Sequence, residues 1–314
     1  MTQSIVPQGR QELVAATPWV VVVEAYLAAA VDSPNTRRAY GRHLRDAFAL
    51  IGRASLADLT GADLAAYRAQ ATTDGLSPSS QAQALAAVRS FLTWAGSMGA
   101  HRLPGEVIRT ALRTPTGSVQ RPYSALSEPE IGALLAAAPT VRDSALLAVL
   151  LGGGLRVSEA VALDVAAVRE DGAGGTVLYV RQGKGRKDRT VPVRGEVAAI
   201  VRRYLADGGR LLGSAGPLFR SHDRGAARRQ RSRLSSRAVG AVVARCAAGA
   251  GIQAKKVSPH ALRHTYALRC LRHGGNVMAV SKLLGHASIV TTQRYVDHLD
   301  LGELRAAVPP LPVL

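Results

Sequence analysis

The stretch SPHALRHTYA, residues 258–267, places His260 and Arg263 three positions apart behind a proline. Pro259 disfavours helix in the residue before it and suits the first turn of a new one, so both side chains share a face one turn in. An imidazole exchanges a proton near neutral pH, and a guanidinium grips phosphate oxygens through paired hydrogen bonds. Alone, the two read more readily as a surface pair. A second arginine changes the balance. LLGGGLRVSEAVAL (150–163) sets Arg156 behind three glycines at a helix start, with Glu159 three residues on. That pair is either an exposed ion pair of little worth, or an arginine oriented by a carboxylate where glycines let backbone approach a ligand. Lys184, in GKGRKDR, sits on a glycine-flanked turn. It is either solvated there or a mobile ammonium able to donate a proton. LLGHASIVTTQRYVDH (283–298) adds His286 in a turn behind Gly285, and Tyr295 on a short helix. A phenol with the ordinary pKa of ~10 needs help to attack anything at neutral pH, and such a tyrosine is otherwise a core aromatic.

These residues need elements to hold them. Residues 1–17 read as a loose arm. Four helical patterns follow, over 18–31, 33–50, 60–73 and 77–94, with no strand pattern among them. Two of the four open on Ser-Pro, a cap followed by a residue preset for the first helical position. The N-terminal unit, 18–100, is therefore an all-helical bundle. Residues 101–124 carry Pro, Gly, Ser and Thr without a long period and read as a linker. From 125 the chain is mixed but mostly helical, opening on the capping-box pattern Ser127…Glu130. TVLYVR (176–181) and DRTVPV (188–193) alternate like strands joined by QGKGRK, a β-hairpin. Helices are expected at 128–138, 142–152, 157–163, 195–207, 235–250, 260–273, 276–284 and 288–298, with a tail helix at 299–307. The fold class is thus mainly α, a helical bundle followed by a mostly helical domain with a small antiparallel sheet.

Charge points to the partner. Forty Lys and Arg against 22 acids leave a net charge of +18 on 314 residues, 47 % of them hydrophobic. A one-sided excess favours a polyanion, most simply nucleic acid, whereas a solubilising surface mixes both signs. The densest run, DRGAARRQRSRLSSR (223–237), holds six arginines. Cys246 and Cys270 form no CxxC pair and read as buried thiols in a reducing compartment. The motifs contain no DxD, no paired carboxylates and no Cys/His metal spacing, and no P-loop is present, so neither metal nor cofactor is expected. WVVVVEAYLAAAV (19–31) is too short to span a bilayer and is interrupted by Glu24. With no leader pattern at the start, a cytoplasmic protein is expected.

In chain order, GLRVSEA, GKGRKDR, HALRHTYA and LGHASIVTTQRY resemble the tyrosine recombinases, or phage integrase family, in its Xer-like and integron-integrase-like branch. SPNTRRAYGRHLRDA and SPSSQAQALAAVRSFLTW are similar to that family's core-binding domain, so the resemblance spans about 18–300. It implies Tyr295 as nucleophile, Arg156 and Arg263 on the non-bridging oxygens of the scissile phosphate, and Lys184 as the acid for the departing 5′ oxygen. It implies His260 in proton transfer, His286 bonded to the phosphate, and Glu159 buttressing the first arginine. His264 and Tyr266 read as packing. The partner implied is a double-stranded DNA recombination site, clamped between the two domains. Assembly would be a homotetramer with a dimer per site, exchanging strands through a Holliday junction, the C-terminal tail packing on a neighbour. A second recombinase or an accessory protein is a further partner open to such an enzyme. Arg37, Arg38, Arg42, Arg89, Arg186, Lys187, Arg228, Arg229 and Arg231 are the expected DNA-backbone contacts. Two other readings use the same residues: a type IB topoisomerase, against which the core-binding resemblance and tail speak, and a DNA-binding protein of this fold without catalysis.

Overall fold

The computed structural model describes residues 17–73, 75–114, 125–181, 188–221, 233–286, 288 and 290–296. The arm before residue 17, Lys184, Arg186, Lys187, Arg228, Arg229, Arg231 and the tail helix lie outside them. The chain divides into two compact units, 1–120 and 121–314.

In the first unit the described helices are α1 (Trp19–Ala29), α2 (Pro34–Ile51), α3 (Gly61–Thr73), α4 (Pro78–Ser97) and α5 (Gly105–Ala111). The Ser-Pro starts act as read: Ser33 and Ser77 each accept a hydrogen bond from the backbone N–H three residues on. The α2 helix stops at Gly52, in the left-handed conformation (φ 69°) that only glycine adopts without cost. Tyr26, Phe48 and Phe91 meet edge-on in the core, Phe48 and Phe91 with centroids 5.4 Å apart at 81°. One expectation is corrected here. The stretch read as linker contains α5, whose Ile108 and the following Leu112 are buried in this core. A single helical turn pair is too short to show a period against its Pro and Gly neighbours.

The second unit runs α6 (Glu128–Ala136), α7 (Val141–Gly153), α8 (Val157–Ala162), β1 (Val168–Glu170), β2 (Thr176–Val180), β3 (Arg189–Val193), α9 (Gly195–Asp207), α10 (Ser236–Gly249), α11 (Pro259–Arg272), α12 (Val277–Leu284) and α13 (Val290–Val296). The Ser127–Glu130 capping box is present, and Glu130 also pairs with Lys256. From Ala145 to Leu151 the α7 helix is buried all round, so it forms the axis on which the rest packs. The strands form an antiparallel sheet in the order β1-β2-β3, with Val168, Leu178 and Val191 aligned on its core face. The first strand was not anticipated, since three residues are too few to show alternation. No helix among the described residues is long and apolar enough to cross a membrane.

Candidate active site

Three chain segments build one pocket. The first is the turn between α7 and α8. Gly154 caps α7 at φ 60°, Leu155 is fully buried, and Arg156 stands at the cap position of α8. Glu159 reaches back, accepting from the Arg156 N–H (2.8 Å) and from its guanidinium (2.8 Å). The second is α11, started by Ser258, whose Oγ accepts the Ala261 N–H, and by Pro259. It carries His260 and Arg263. The third is the end of α12, the Gly285 turn (φ 64°) and α13, which carry His286 and Tyr295.

Arg156, His260, Arg263, His264, His286, Thr291 and Tyr295 line a pocket of about 240 Å3. Among the described residues, no carboxylate lies on its wall. Arg263 is 3 % exposed and donates to the carbonyls of Gly154 and Leu284, both at 2.7 Å. Arg156 donates to the carbonyls of Leu284 (3.4 Å) and Gly285 (3.3 Å). The last carbonyls of a helix lack partners within it and carry its negative end, so guanidiniums are suited to them. Burial, reinforced by the nearby charge of Arg156, holds Arg263 down at about 10, while Glu159 and Tyr295 act the other way. Burial pushes Glu159 up, but the hydrogen bonds from Arg189 and from the Arg156 backbone more than offset it, leaving the carboxyl at about 2.

The Tyr295 ring is 4 % exposed, between two histidines: His264 with centroids 5.0 Å apart and His286 at 6.2 Å, nearly parallel. The Nδ1 of His286 is 2.7 Å from the Oγ1 of the buried Thr292, which fixes the ring. His264 therefore packs, as read, but against Tyr295 itself. Tyr266 donates to the Cys270 thiol, and burial together with that bond pushes its phenol further up. The three glycines before Arg156 do not act as anticipated. A Cβ on Gly154 would overlap the Tyr266 ring, one on Gly152 the Val197 side chain, and one on Gly153 would crowd Leu178. Their close approach is to neighbours within the domain.

Arg189 escaped the sequence reading. At the start of β3, it grips both oxygens of Glu159 (3.0 and 2.8 Å) and donates from Nε to the Leu283 carbonyl at 2.8 Å. Its signal was only one basic residue among several in GKGRKDR. Three guanidiniums, Arg156, Arg189 and Arg263, thus face one carboxylate, an excess of two positive charges among the described residues. Of the expected DNA contacts in the first unit, Arg37, Arg38 and Arg42 are exposed on α2. Arg37 also donates to the Val31 carbonyl and Arg38 to Asn35. Arg89, half-buried on α4, donates to the Leu112 carbonyl (3.0 Å) and to Thr114 (3.1 Å), tying down the chain after α5. In the arginine run, Arg233 is likewise used within the fold, against Asp164 and the carbonyls of Val161 and Leu163.

A mostly helical domain with a small antiparallel sheet thus holds a cationic pocket with a phenol on its wall, a site of the class that takes a phosphate. Residues 124–301 match the phage integrase family, and residues 24–99 match the phage integrase N-terminal SAM-like domain. The chain belongs to the phage integrase family, the tyrosine recombinases. It is 34 % identical over 276 residues to tyrosine recombinase XerD of Caulobacter vibrioides, covering 83 % of this chain and 85 % of that one. It is 38 % identical over 285 residues to tyrosine recombinase XerC of Pelobacter propionicus, covering 87 % of each. Its fold is similar to that of the Tn1549 transposon integrase in complex with transposon right end DNA, with a TM-score of 0.70 at 18 % identity, covering 92 % and 98 % of the two chains. It is similar also to the XerH recombinase bound to a palindromic difH substrate, with a TM-score of 0.68 at 17 % identity over 97 % of each.

Proposed function

We propose that this protein is a site-specific DNA recombinase in which Tyr295 attacks the scissile phosphate held by Arg156 and Arg263. The observation that carries the reading is the pocket itself: two arginines, backed by one shared carboxylate, beside a phenol on a wall that holds no acidic group among the described residues. The transition state of phosphoryl transfer spreads negative charge over its equatorial oxygens, and fixed guanidiniums answer it without reorganising. The Tyr295 Oη bonds to phosphorus as its proton leaves towards His260, and the bond to the 5′ oxygen breaks. Lys184 supplies the proton that makes the leaving group a 5′ hydroxyl. A 3′-phosphotyrosyl DNA results. The ester is exchanged, not hydrolysed, so a 5′ hydroxyl from another strand reverses the step without added energy. His286, held by Thr292, bonds the same phosphate.

Two such exchanges through a Holliday junction, in a homotetramer with a dimer on each site, complete recombination in the cytoplasm. Arg37, Arg38 and Arg42, together with Arg186, Lys187, Arg228, Arg229 and Arg231, contact the DNA backbone. An arm to 17, a core-binding domain to about 100 and a catalytic domain from 125 divide the work, with the tail at 299–307 packing on a neighbouring subunit. The test is covalent trapping. Adducts formed on genomic DNA are mapped, and the site is rebuilt as a duplex nicked beside the scissile phosphate. Wild type is expected to accumulate adduct and Tyr295→Phe none, while both bind. An adduct with Tyr295→Phe, or none with wild type, sinks the assignment. Exchange between two copies of the site, as against relaxation of a plasmid carrying one, distinguishes a recombinase from a topoisomerase.

A further inference from the structure

Beyond the residues on the pocket wall, we propose that Arg189 is a positioning residue of the cleavage step. It joins Glu159, the end of the β2-β3 ladder and the end of α12 into one arrangement. The inference rests on the phosphotyrosyl reading of Tyr295. Arg189 does not line the pocket, so it acts through others. Its side chain is 7 % exposed, and all three of its nitrogens bond to groups from two separate elements: Nη1 and Nη2 to the Glu159 oxygens on α8, Nε to the Leu283 carbonyl on α12. Leu283 is followed by Leu284 and Gly285, whose carbonyls take the two pocket arginines. One helix end is therefore held by three guanidiniums, and the chain leaving it leads through His286 to Tyr295. At the other side, the backbone of Arg189 pairs with Val180 as the last rung of the β2-β3 ladder. The chain between those two residues carries Lys184.

This arrangement can do what separate ion pairs cannot. Without Arg189, Glu159 would still hold Arg156, but no group would tie the acid to the Leu283 carbonyl at the end of α12. With Arg189 in place, the acid faces Arg156 with one edge and Arg263 at 3.8 Å with the other, so both phosphate-holding groups are set from a common point. The planar fork is essential to it. A lysine in this place keeps the charge but offers a single tetrahedral nitrogen, unable to reach Glu159 in two places and Leu283 at once. Misplacing a phosphate-holding group by even 1 Å costs about 100-fold in rate.

The experiment measures single-turnover adduct formation on the nicked duplex described above, with DNA affinity taken separately in the Tyr295→Phe background. Arg189→Lys and Arg189→Gln are both used, each checked by thermal melting. The expected result is adduct formation slowed by about 10- to 100-fold, the scale for loss of an orienting partner, with affinity unchanged. Arg189→Lys is expected to retain more activity than Arg189→Gln. In a Glu159→Gln background, Arg189→Lys is expected to slow cleavage no further, because the two act as one unit. Wild-type cleavage by Arg189→Lys, a loss explained by weaker DNA binding, losses that multiply with Glu159→Gln, or failure of both variants to fold at the assay temperature would each overturn the inference. Absence of adduct from wild type would instead overturn the underlying reading of Tyr295.

Discussion

Replacing Glu159 by Gln tests the electrostatic core of the site in one atom. The side chain is 9 % exposed and lies within 4 Å of three guanidiniums. Removing one partner from a buried ion pair costs about 3–5 kcal/mol, because the charges left behind stay buried. The acid's own titration gives a second route. Its partners hold its pKa at about 2, below the ordinary 4.5, which corresponds to about 3 kcal/mol. The two routes agree. For the unit spanning 121–314, about 3 kcal/mol lowers the melting temperature by about 6–12 °C. The sign with pH is fixed. A depressed carboxyl contributes its full stability above pH 4.5, and that contribution drains away as pH falls towards 2. Gln has no such contribution, so the gap between wild type and variant should be widest at neutral pH and close in acid. Glu130 and Asp63, also held at about 2, titrate in both proteins and cancel in the difference. The assay is circular-dichroism melting of both proteins from pH 7 to pH 3. A variant that melts with wild type at pH 7, or a gap that stays constant into acid, would refute the reasoning.

Other consequences follow from single contacts. Gly154→Ala should destabilise by about 2–4 kcal/mol, from the left-handed φ and from overlap with Tyr266. Combining it with Tyr266→Ala should remove the overlap part, which a melting comparison of single and double variants reads directly. Lys184→Ala should slow cleavage of ordinary DNA by about 100-fold or more, the lower end of what a proton donor contributes. It should cleave at near wild-type rate when the bridging 5′ oxygen is replaced by sulfur, since a thiolate leaves without a proton; unequal rates there would remove Lys184 from the acid's role. Arg42→Ala should flatten the log-log salt dependence of DNA binding by about 0.9, the slope of one phosphate contact. Arg89→Ala should leave that slope unchanged and lower the melting temperature, because its guanidinium is bonded to Leu112 and Thr114.

The legible parts were those that local chemistry dictates. Ser-Pro and Ser-x-x-Glu starts marked α2, α4, α6 and α11 because a cap and a preset φ act within one turn. Alternation marked β2 and β3. The motif set carried the family, and the pocket brings together Arg156, His260, Arg263, His286 and Tyr295, separated by up to 139 positions in the chain. What stayed hidden has a common cause. The α5 helix and β1 are shorter than the window a period needs, and they form because a core and a neighbouring strand are there to receive them. The contacts of Arg89 with Leu112 and Thr114 were hidden too, because what a basic side chain bonds to is decided by what folds against it.

The sequence by itself determined which residue types were available for phosphoryl chemistry, the helices that carry them and the sign of the partner's charge. Only the tertiary structure decided which acceptors each arginine meets. Arg189 looks no different in the chain from Arg142 or Arg233, which pair with Asp143 and Asp164. The distinction arises where one buried carboxylate and the open carbonyls at the end of α12 converge, because only there do partners from α8, β3, α11 and α12 come within hydrogen-bond reach. A guanidinium's role is set by the acceptors around it, and acceptors so distant in sequence meet only in the fold.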